Sequence, residues 1–196
     1  MSGREPVHVT VRVVRELSGL RSHHGFADVQ AALATQIERF DFRVVHASIQ
    51  RDHLHFLVEA DSARALGNGM RGLLIALAHR LNRRRGRRGR AFVDRYHATV
   101  LRTPRHVRAA LHYVLNNWRK HRESSAPGFA GTRCDPYSSA TMFAPWAGDV
   151  VRLPRRGLLP VVRPQSWLLE HGWRRAGPPL PWHRAPRDRP AEAAPA

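Results

Sequence analysis

The sequence predicts an α+β fold, an antiparallel sheet that carries helices, and three features of the 196-residue chain indicate it. Apolar and polar residues alternate in several short segments, which is the pattern of half-buried strands. Three longer segments carry an apolar stripe at helical spacing. The segments follow one another in the order β-α-β-β-α-β-α.

The first two elements precede residue 41. Pro6 to Arg15 alternates valines with polar residues, so it predicts a strand with one buried face. Asp28 is a residue type that caps helices, and we expect a helix from there to about Phe40. The outward face of the strand would carry His8, Thr10 and Arg12. The apolar stripe of the helix would be Val29, Leu33, Ile37 and Phe40.

A hairpin and a second helix follow. Phe42 to Ile49 and His53 to Ala60 are separated by three polar residues and predict two paired strands. The next segment predicts a long helix, although Gly67 and Gly69 disfavour its first turn. The apolar stripe of this helix consists of Leu66, Met70, Leu73, Leu74, Leu77 and Leu81.

The last regular elements are a strand and a third helix. Ala91 to Arg102 predicts the strand, and Pro104 then opens a helix that ends near His121. The first six elements form a ferredoxin-like βαββαβ antiparallel sheet, to which the last helix is an addition. We expect one domain over residues 1–122, an irregular extension containing proline and tryptophan over 123–182, and a disordered tail over 183–196. Within the extension, residues 124–140 have the composition of a linker.

Charge and composition limit the classes of function. The chain has 33 Lys and Arg against 15 Asp and Glu, a formal net charge of +18, which favours a polyanionic partner such as nucleic acid. The single cysteine, Cys134, excludes an internal disulfide and fits a reducing compartment. No segment approaches the roughly 20 apolar residues of a membrane-spanning helix, and the first residues lack the apolar run of a signal peptide. We expect a cytoplasmic protein with no membrane partner.

Two histidines are spaced for metal binding. His53 and His55 are two residues apart on a predicted strand, so their side chains leave the same face. Two imidazoles on a rigid strand form half of a metal site. Among 13 histidines, however, on the order of one such pair arises by chance. The pair alone would therefore fit two surface histidines equally well.

The last helix supplies the residues that give this pair its weight. Tyr113 and Asn117 are four residues apart, so they lie on one face of the helix at the edge of its apolar stripe. An oxygen ligand at Asn117 would place a metal one turn from the Tyr113 hydroxyl. Taken singly, Tyr113 would fit a boundary tyrosine with a packed ring. Taken with the histidines and the order of the elements, it indicates an active site.

The motifs His53-Leu54-His55 and Tyr113-Val114-Leu115-Asn116-Asn117, in this order of elements, resemble those of the single-tyrosine DNA transposases of the HUH type. The REP-associated tyrosine transposases of bacteria are the most similar group. The resemblance covers about residues 5–122. It implies that Tyr113 is the catalytic nucleophile and that His53, His55 and Asn117 bind a divalent metal, Mg²⁺ or Mn²⁺. Imidazole ligands by themselves would favour a softer ion such as Zn²⁺.

The resemblance also implies a reaction and a partner. Tyr113 would attack a phosphodiester, release a 3′-hydroxyl and form a 5′-phosphotyrosine, which the 3′-hydroxyl of another strand can rejoin. The partner would be single-stranded DNA with hairpins. Some relatives exchange the tyrosine helix between subunits, so a monomer and a homodimer both stay open.

Basic residues in three places are expected to bind DNA. They lie on the first strand, in the arginine run after the second helix, and at the end of the last helix. The arginine run would fit a solvated loop equally well. The predicted contacts are Arg12, Arg83, Arg84, Arg85, Arg87, Arg88, Arg119 and Lys120, together with His8 and His121.

Other interpretations of the same features are open. A basic ferredoxin-like sheet is also the frame of RNA-recognition modules, but those place aromatic residues where this chain has His53 and His55. A catalytically silent or domesticated protein that binds hairpins would show the same residues as an active enzyme. Tyr96 competes as nucleophile but has no partner at helical spacing, and Tyr137 lies in the predicted linker.

Overall fold

A computed structural model of the chain describes residues 5–121, 133–146 and 157–186. Its centre is a four-stranded antiparallel sheet of β1 (Val7–Arg12), β2 (Phe42–Ile49), β3 (His53–Ala60) and β4 (His97–Val100). The strands lie in the order β2-β3-β1-β4. The prediction of an α+β fold with a ferredoxin-like antiparallel sheet is therefore confirmed.

Three long helices cover the two faces of this sheet. The first two, α1 (His23–Ala34) and α2 (Ala63–Arg84), pack against each other on one face, and α3 (Pro104–Lys120) lies on the other face against β2 and β3. The alternating valines of β1 face α1 and α2, because they belong to the same apolar core as the leucines of those helices. Members of this first core include Val7, Val9, Val11, Leu33, Leu73 and Leu77.

The helix α1 begins before the residue that the sequence indicated. Its N-cap is Ser22, whose hydroxyl accepts a hydrogen bond from the Gly25 amide at 3.0 Å. A Cβ at Gly25 would lie 2.3 Å from the Leu20 carbonyl oxygen, so only glycine lets this first turn approach the preceding chain so closely. The prediction of Asp28 as the cap is wrong because this tertiary contact, rather than local propensity, fixes the start.

The same helix ends at Ala34, earlier than predicted. Asp28 lies inside it, where its buried carboxylate accepts a hydrogen bond from Arg84 Nη2 at 2.6 Å. Ile37 and Phe40, which were expected on the apolar stripe, follow the helix and are 46% and 92% exposed. The helical spacing of these two residues therefore has no counterpart in the fold.

Two strands are also shorter than the sequence predicted. β1 ends at Arg12 because Arg15–Leu17 forms a 3-10 turn, and β4 is limited to His97–Val100. The segment before β4 contacts β1 through single backbone bonds, such as that from Val93 N to the Arg12 carbonyl at 2.9 Å. The predicted strands over 6–15 and 91–102 were therefore too long.

The helix α2 is continuous despite its glycines. Ser62 caps it by accepting a hydrogen bond from the Ala65 amide at 3.1 Å. A Cβ at Gly69 would lie 2.1 Å from Cγ of Phe42, so this glycine allows the helix to pack directly on an aromatic ring of β2. Close packing offsets the low helix propensity of the first turn.

The predicted extension packs on the outer side of α3. Its apolar residues join those of α3 in a second core, and a four-residue helix, α4 (Trp167–Glu170), lies within it. Residues 133–140, expected to be part of a linker, are mostly buried there. The second core includes Val107, Leu111 and Val114 from α3 and Phe143, Trp146, Trp173 and Leu180 from the extension. Residues 187–196 of the predicted disordered tail lie outside the described residues.

Two buried carboxylates fasten the extension to the domain. Asp135 accepts hydrogen bonds from both terminal nitrogens of Arg21, each at 2.9 Å, and the two side chains are 0% and 6% exposed. Glu59 of β3 accepts the backbone amides of Gln165 and Ser166 at 2.8 and 2.9 Å. Glu59 thus holds the extension on the face that carries α3, and Asp135 holds it to the segment before α1.

Within the described ranges, none of the helices combines the length and the apolar character that crossing a membrane requires.

Candidate active site

Polar side chains of β1 and β3 meet beneath α3. Thr10 stands opposite His55 in the strand register, and its hydroxyl lies 3.1 Å from His55 Nδ1. The Nε2 atom of His8 lies 3.3 Å from the same nitrogen. His8 and His55 are both buried, at 1% and 2% exposure. The prediction that His8 faces outward is wrong, because α3 covers this face of the sheet.

Tyr113 projects from α3 onto these histidines. Thr103 caps the helix by accepting a backbone amide at 3.2 Å, and Pro104 occupies its first turn as predicted. The Tyr113 ring lies 5.2 Å from the His55 ring and 5.8 Å from the His8 ring, edge-on to both. The helix therefore brings the predicted nucleophile directly to His55 and His8.

Asn117 lies one turn beyond Tyr113 and is completely buried. Among the described residues, neither Oδ1 nor Nδ2 of its amide has a hydrogen-bond partner. A buried polar group left unpaired costs about 1–3 kcal/mol, so proteins rarely keep one without a role. Its neighbour Asn116 shows the usual situation, because Nδ2 of that residue donates to the Pro181 carbonyl at 3.2 Å.

A carboxylate holds His53 in place. Nδ1 of His53 lies 2.8 Å from Asp52 Oδ1, and Nε of Arg12 donates to Asp52 Oδ2 at 2.9 Å. Burial alone would raise the pKa of Asp52, but its hydrogen bonds with His53 and Arg12 outweigh burial and lower that pKa. A carboxylate on one ring nitrogen directs the other nitrogen toward a metal, which is the usual arrangement around metal-binding histidines.

The imidazole rings form a continuous row. The His53 ring lies 4.8 Å from the His55 ring and 5.5 Å from that of His121, the residue that ends α3. The row therefore runs from His8, under Tyr113, to the C-terminal end of α3. Lys120, in the last turn of that helix, places its ammonium 5.7 Å from the Tyr113 ring centre.

The residues predicted to bind metal fit a divalent ion by their chemistry. Two imidazoles oriented by hydrogen bonds and one unpaired buried amide are a donor set of the kind that borderline and hard divalent ions accept. In residues 5–121, 133–146 and 157–186, no group of three or more His, Cys, Asp and Glu residues is arranged to hold a metal. The predicted set of His53, His55 and Asn117 contains only two residues of those types, and it stays a prediction.

The other two tyrosines of the chain lie elsewhere. Tyr96 packs against the first core, on the side of the sheet that carries α1 and α2. Tyr137 is buried in that core beside Phe26, with the Arg21 guanidinium 4.6 Å from its ring centre. Tyr113 is therefore the one tyrosine that contacts the histidine row.

Arg84 and Arg119, which were predicted to bind DNA, connect distant parts of the fold. Arg84 pairs with the buried carboxylate of Asp28. Arg119 donates to the carbonyl oxygens of Trp182 and Arg133, both at 2.9 Å. Both arginines therefore join elements of the chain to one another.

The rest of the predicted arginine run lies at the end of α2. Arg83 is in its last turn, Arg85 caps it, and the side chains of Arg83, Arg85 and Arg88 are exposed. Arg85 reaches the Ser18 carbonyl at 3.3 Å, whereas Arg87 donates to the Arg90 carbonyl at 3.1 Å. A folded helix end, rather than a loop alone, therefore carries part of this basic surface.

Four residues around the site have a role that the sequence did not indicate. His8, Thr10 and Asp52 orient or contact the predicted ligands, and His121 extends the histidine row. One available signal was the apolar stripe of α3, because that stripe needs a sheet face to cover. Since the valines of β1 occupy the face that carries α1 and α2, the opposite face, which carries His8, remains for α3.

Comparison with known proteins identifies the class of fold. The sequence matches no protein-family model and no curated protein. Among solved structures it is similar to a REP-associated tyrosine transposase bound to a REP hairpin, with a TM-score of 0.57 and 18% identity over 78% of this chain and 90% of that chain. The chain thus has the fold of a REP-associated tyrosine transposase, and the predicted resemblance is confirmed at the level of the fold.

Proposed function

We propose that the protein is a metal-dependent transposase that cleaves and rejoins single-stranded hairpin DNA through a covalent bond between Tyr113 and a 5′-phosphate. The observation that carries this proposal is the position of Tyr113, edge-on to His55 and His8 and one turn from the unpaired amide of Asn117. Its similarity in fold to a hairpin-bound tyrosine transposase supports the choice of substrate.

The proposed reaction exchanges one phosphate ester for another. The Tyr113 oxygen attacks the phosphorus, a bond between them forms, and the bond from phosphorus to the 3′-oxygen breaks. The phenol loses one proton and the departing 3′-oxygen gains one, so the step is balanced in protons. The phosphotyrosine keeps the energy of the ester bond, so a 3′-hydroxyl of another strand can reverse the step and join DNA.

His53, His55 and Asn117 would hold the divalent ion, which we propose to be Mg²⁺ or Mn²⁺. When bound, such an ion would supply polarisation of a non-bridging oxygen of the scissile phosphate. Asp52 and Thr10 fix the directions of the two imidazoles through their hydrogen bonds. Because these side chains are already oriented, they would not have to rearrange when the scissile phosphate binds, which lowers the barrier to reaction.

The nucleophile is proposed to act within its own chain. The outer side of α3 packs against the extension in the second core, where Trp146 and Trp173 are 5% and 2% exposed. Arg119 and Asn116 add hydrogen bonds from the same helix to residues 181 and 182. Exchange of α3 alone between two subunits would break these contacts. A swapped homodimer would have to exchange the extension as well, which Arg21 and Glu59 bind within the chain, so we propose a monomer.

The test is formation of a covalent protein–DNA adduct. Purified protein is incubated with Mg²⁺ or Mn²⁺ and a labelled hairpin that has single-stranded flanks, and the products are separated under denaturing conditions. We expect an adduct with the unaltered protein and with Tyr96→Phe, and none with Tyr113→Phe. Tight hairpin binding without any adduct would instead identify a catalytically silent binding protein.

A further inference from the structure

A cavity of about 610 Å³ opens directly beside His53. Three arginines, Arg12, Arg15 and Arg51, and Gln50 are among the residues that line it. The imidazoles of His53 and His121 close the side toward the active site. The cavity is therefore continuous with the row of histidines that runs under Tyr113.

Backbone hydrogen bonds fix the walls of this cavity. The Arg51 carbonyl accepts the amides of Gly19 and Leu20 at 2.7 and 3.0 Å, which ties the β2–β3 turn to the segment after β1. The Val13 amide donates to the Asp52 carbonyl at 2.9 Å and strengthens the same junction. The backbone that surrounds the cavity is thus fixed by the fold.

The charge of the cavity favours a polyanion. Arg12 already pairs with Asp52, the one acidic residue in the lining. Arg15 and Arg51 have exposed side chains and form no ion pair with any residue in the described ranges. Two guanidinium groups beside a cavity are suited to phosphate groups, because they donate hydrogen bonds in a planar fork.

We propose that this cavity binds a nucleotide of the single strand next to the scissile phosphate, with its phosphate on Arg15 and Arg51. The proposal rests on the function proposed above, since it takes the scissile phosphate to lie between Tyr113 and the imidazoles. A DNA single strand that passes His53 would place the nucleotide next to the scissile phosphate in the cavity. The volume lies in the range of about 300–1,000 Å³ that is typical of small-molecule sites, so a base and its sugar fit inside.

The proposal is tested by binding, with a protein that cannot cleave. In a Tyr113→Phe background, one variant carries Arg15→Ala and Arg51→Ala. The matched control carries Arg64→Ala and Arg71→Ala, which remove the same charge from exposed positions of α2 on the opposite side of the sheet. Fluorescence anisotropy measures the affinity of each protein for a hairpin with single-stranded flanks and for the same hairpin with a blunt end.

Salt dependence is measured as the slope of the logarithm of the binding constant against the logarithm of the salt concentration. Removing two phosphate contacts with a single strand should reduce the size of this slope by about 1.4, at about 0.7 for each contact. At 0.1 M salt this corresponds to about 25-fold weaker binding, since each contact contributes a factor of about 5. We expect this loss for the flanked hairpin in the Arg15/Arg51 variant, a much smaller loss for the blunt hairpin, and little loss in the Arg64/Arg71 control.

Three results would overturn the proposal. The first is equal binding of flanked and blunt hairpins by the starting protein. The second is equal weakening of both hairpins in the Arg15/Arg51 variant. The third is the same weakening in both double variants, which would show only a loss of general positive charge. Because no cleavage is measured, these results are independent of whether Tyr113 forms an adduct, so failure of the cavity and failure of the proposed reaction are distinguishable.

Discussion

The unpaired amide of Asn117 leads to a prediction about stability. Replacing this side chain by an apolar one of similar shape should stabilise the metal-free protein. We consider Asn117→Leu, which keeps the branching at Cγ and removes both amide atoms. The matched control is Asn116→Leu on the same helix turn, where the lost amide donates to the Pro181 carbonyl at 3.2 Å. Both asparagines are buried, at 0% and 1% exposure, so the two substitutions share their change in size and helix propensity.

The magnitude follows from the hydrogen bonds of the two residues. Removing an unpaired buried amide should stabilise the fold by about 1–3 kcal/mol, because its desolvation penalty disappears. Removing the Asn116 amide should destabilise the fold by about 0.5–1.5 kcal/mol, because a hydrogen bond is lost. The two variants should therefore differ by about 1.5–4.5 kcal/mol, and at about 2–4 °C per kcal/mol their melting temperatures should differ by at least about 3 °C.

Thermal unfolding measured by circular dichroism in the presence of a chelator tests this difference. Asn117→Leu should melt above the unaltered protein and Asn116→Leu below it. Addition of Mn²⁺ should then raise the melting temperature of the unaltered protein and of Asn116→Leu, but not that of Asn117→Leu. If Asn117→Leu melts below Asn116→Leu without metal, the buried amide is not a source of strain, and the reasoning from its missing partners is refuted.

Three further predictions concern other polar groups of the fold. Asp52→Ala should weaken Mn²⁺ binding by about 10–100-fold in calorimetric titration, because His53 loses the carboxylate that orients it; unchanged affinity would show that Asp52 has no such role. Asp135→Ala should destabilise the fold by about 3–5 kcal/mol in urea unfolding, since it leaves the Arg21 guanidinium buried without its partner; a loss below about 1 kcal/mol would contradict this. Burial lowers the pKa of His46 to about 4, so the ring is neutral in the folded chain while the unfolded chain takes up a proton below about pH 6.5. The contribution of this ring to the free energy of unfolding should be complete above pH 6.5 and should fall as the pH is lowered toward 4. In urea unfolding, His46→Gln should make the free energy of unfolding depend less on pH across that window, and an unchanged pH dependence would contradict the prediction.

The sheet, the last helix and the positions of the candidate site residues on them could be predicted from the sequence because their signals are local. His53 and His55 alternate on a strand whose other face is apolar, and Tyr113 and Asn117 share one face of a helix capped at its start by Thr103 and Pro104. The spacing of residues along a strand or a helix is therefore enough to predict which side chains lie on the same face.

The remaining features depend on contacts between distant parts of the chain. The start of α1 depends on how closely Gly25 approaches Leu20, and the burial of His8 depends on which face of the sheet α3 covers. Residues 133–140 have the composition of a linker but are ordered by the ion pair of Asp135 with Arg21. No pattern within a short window reveals such pairings.

The central claim is that Tyr113 is the nucleophile, and mass spectrometry of the covalent product tests it most directly. The protein is incubated with Mn²⁺ and a flanked hairpin, the DNA is trimmed with nuclease, and the protein is digested. We predict a nucleotide joined through its 5′-phosphate to the peptide that contains Tyr113, and to no other tyrosine. A nucleotide on the peptide of Tyr96 or Tyr137 would contradict the claim.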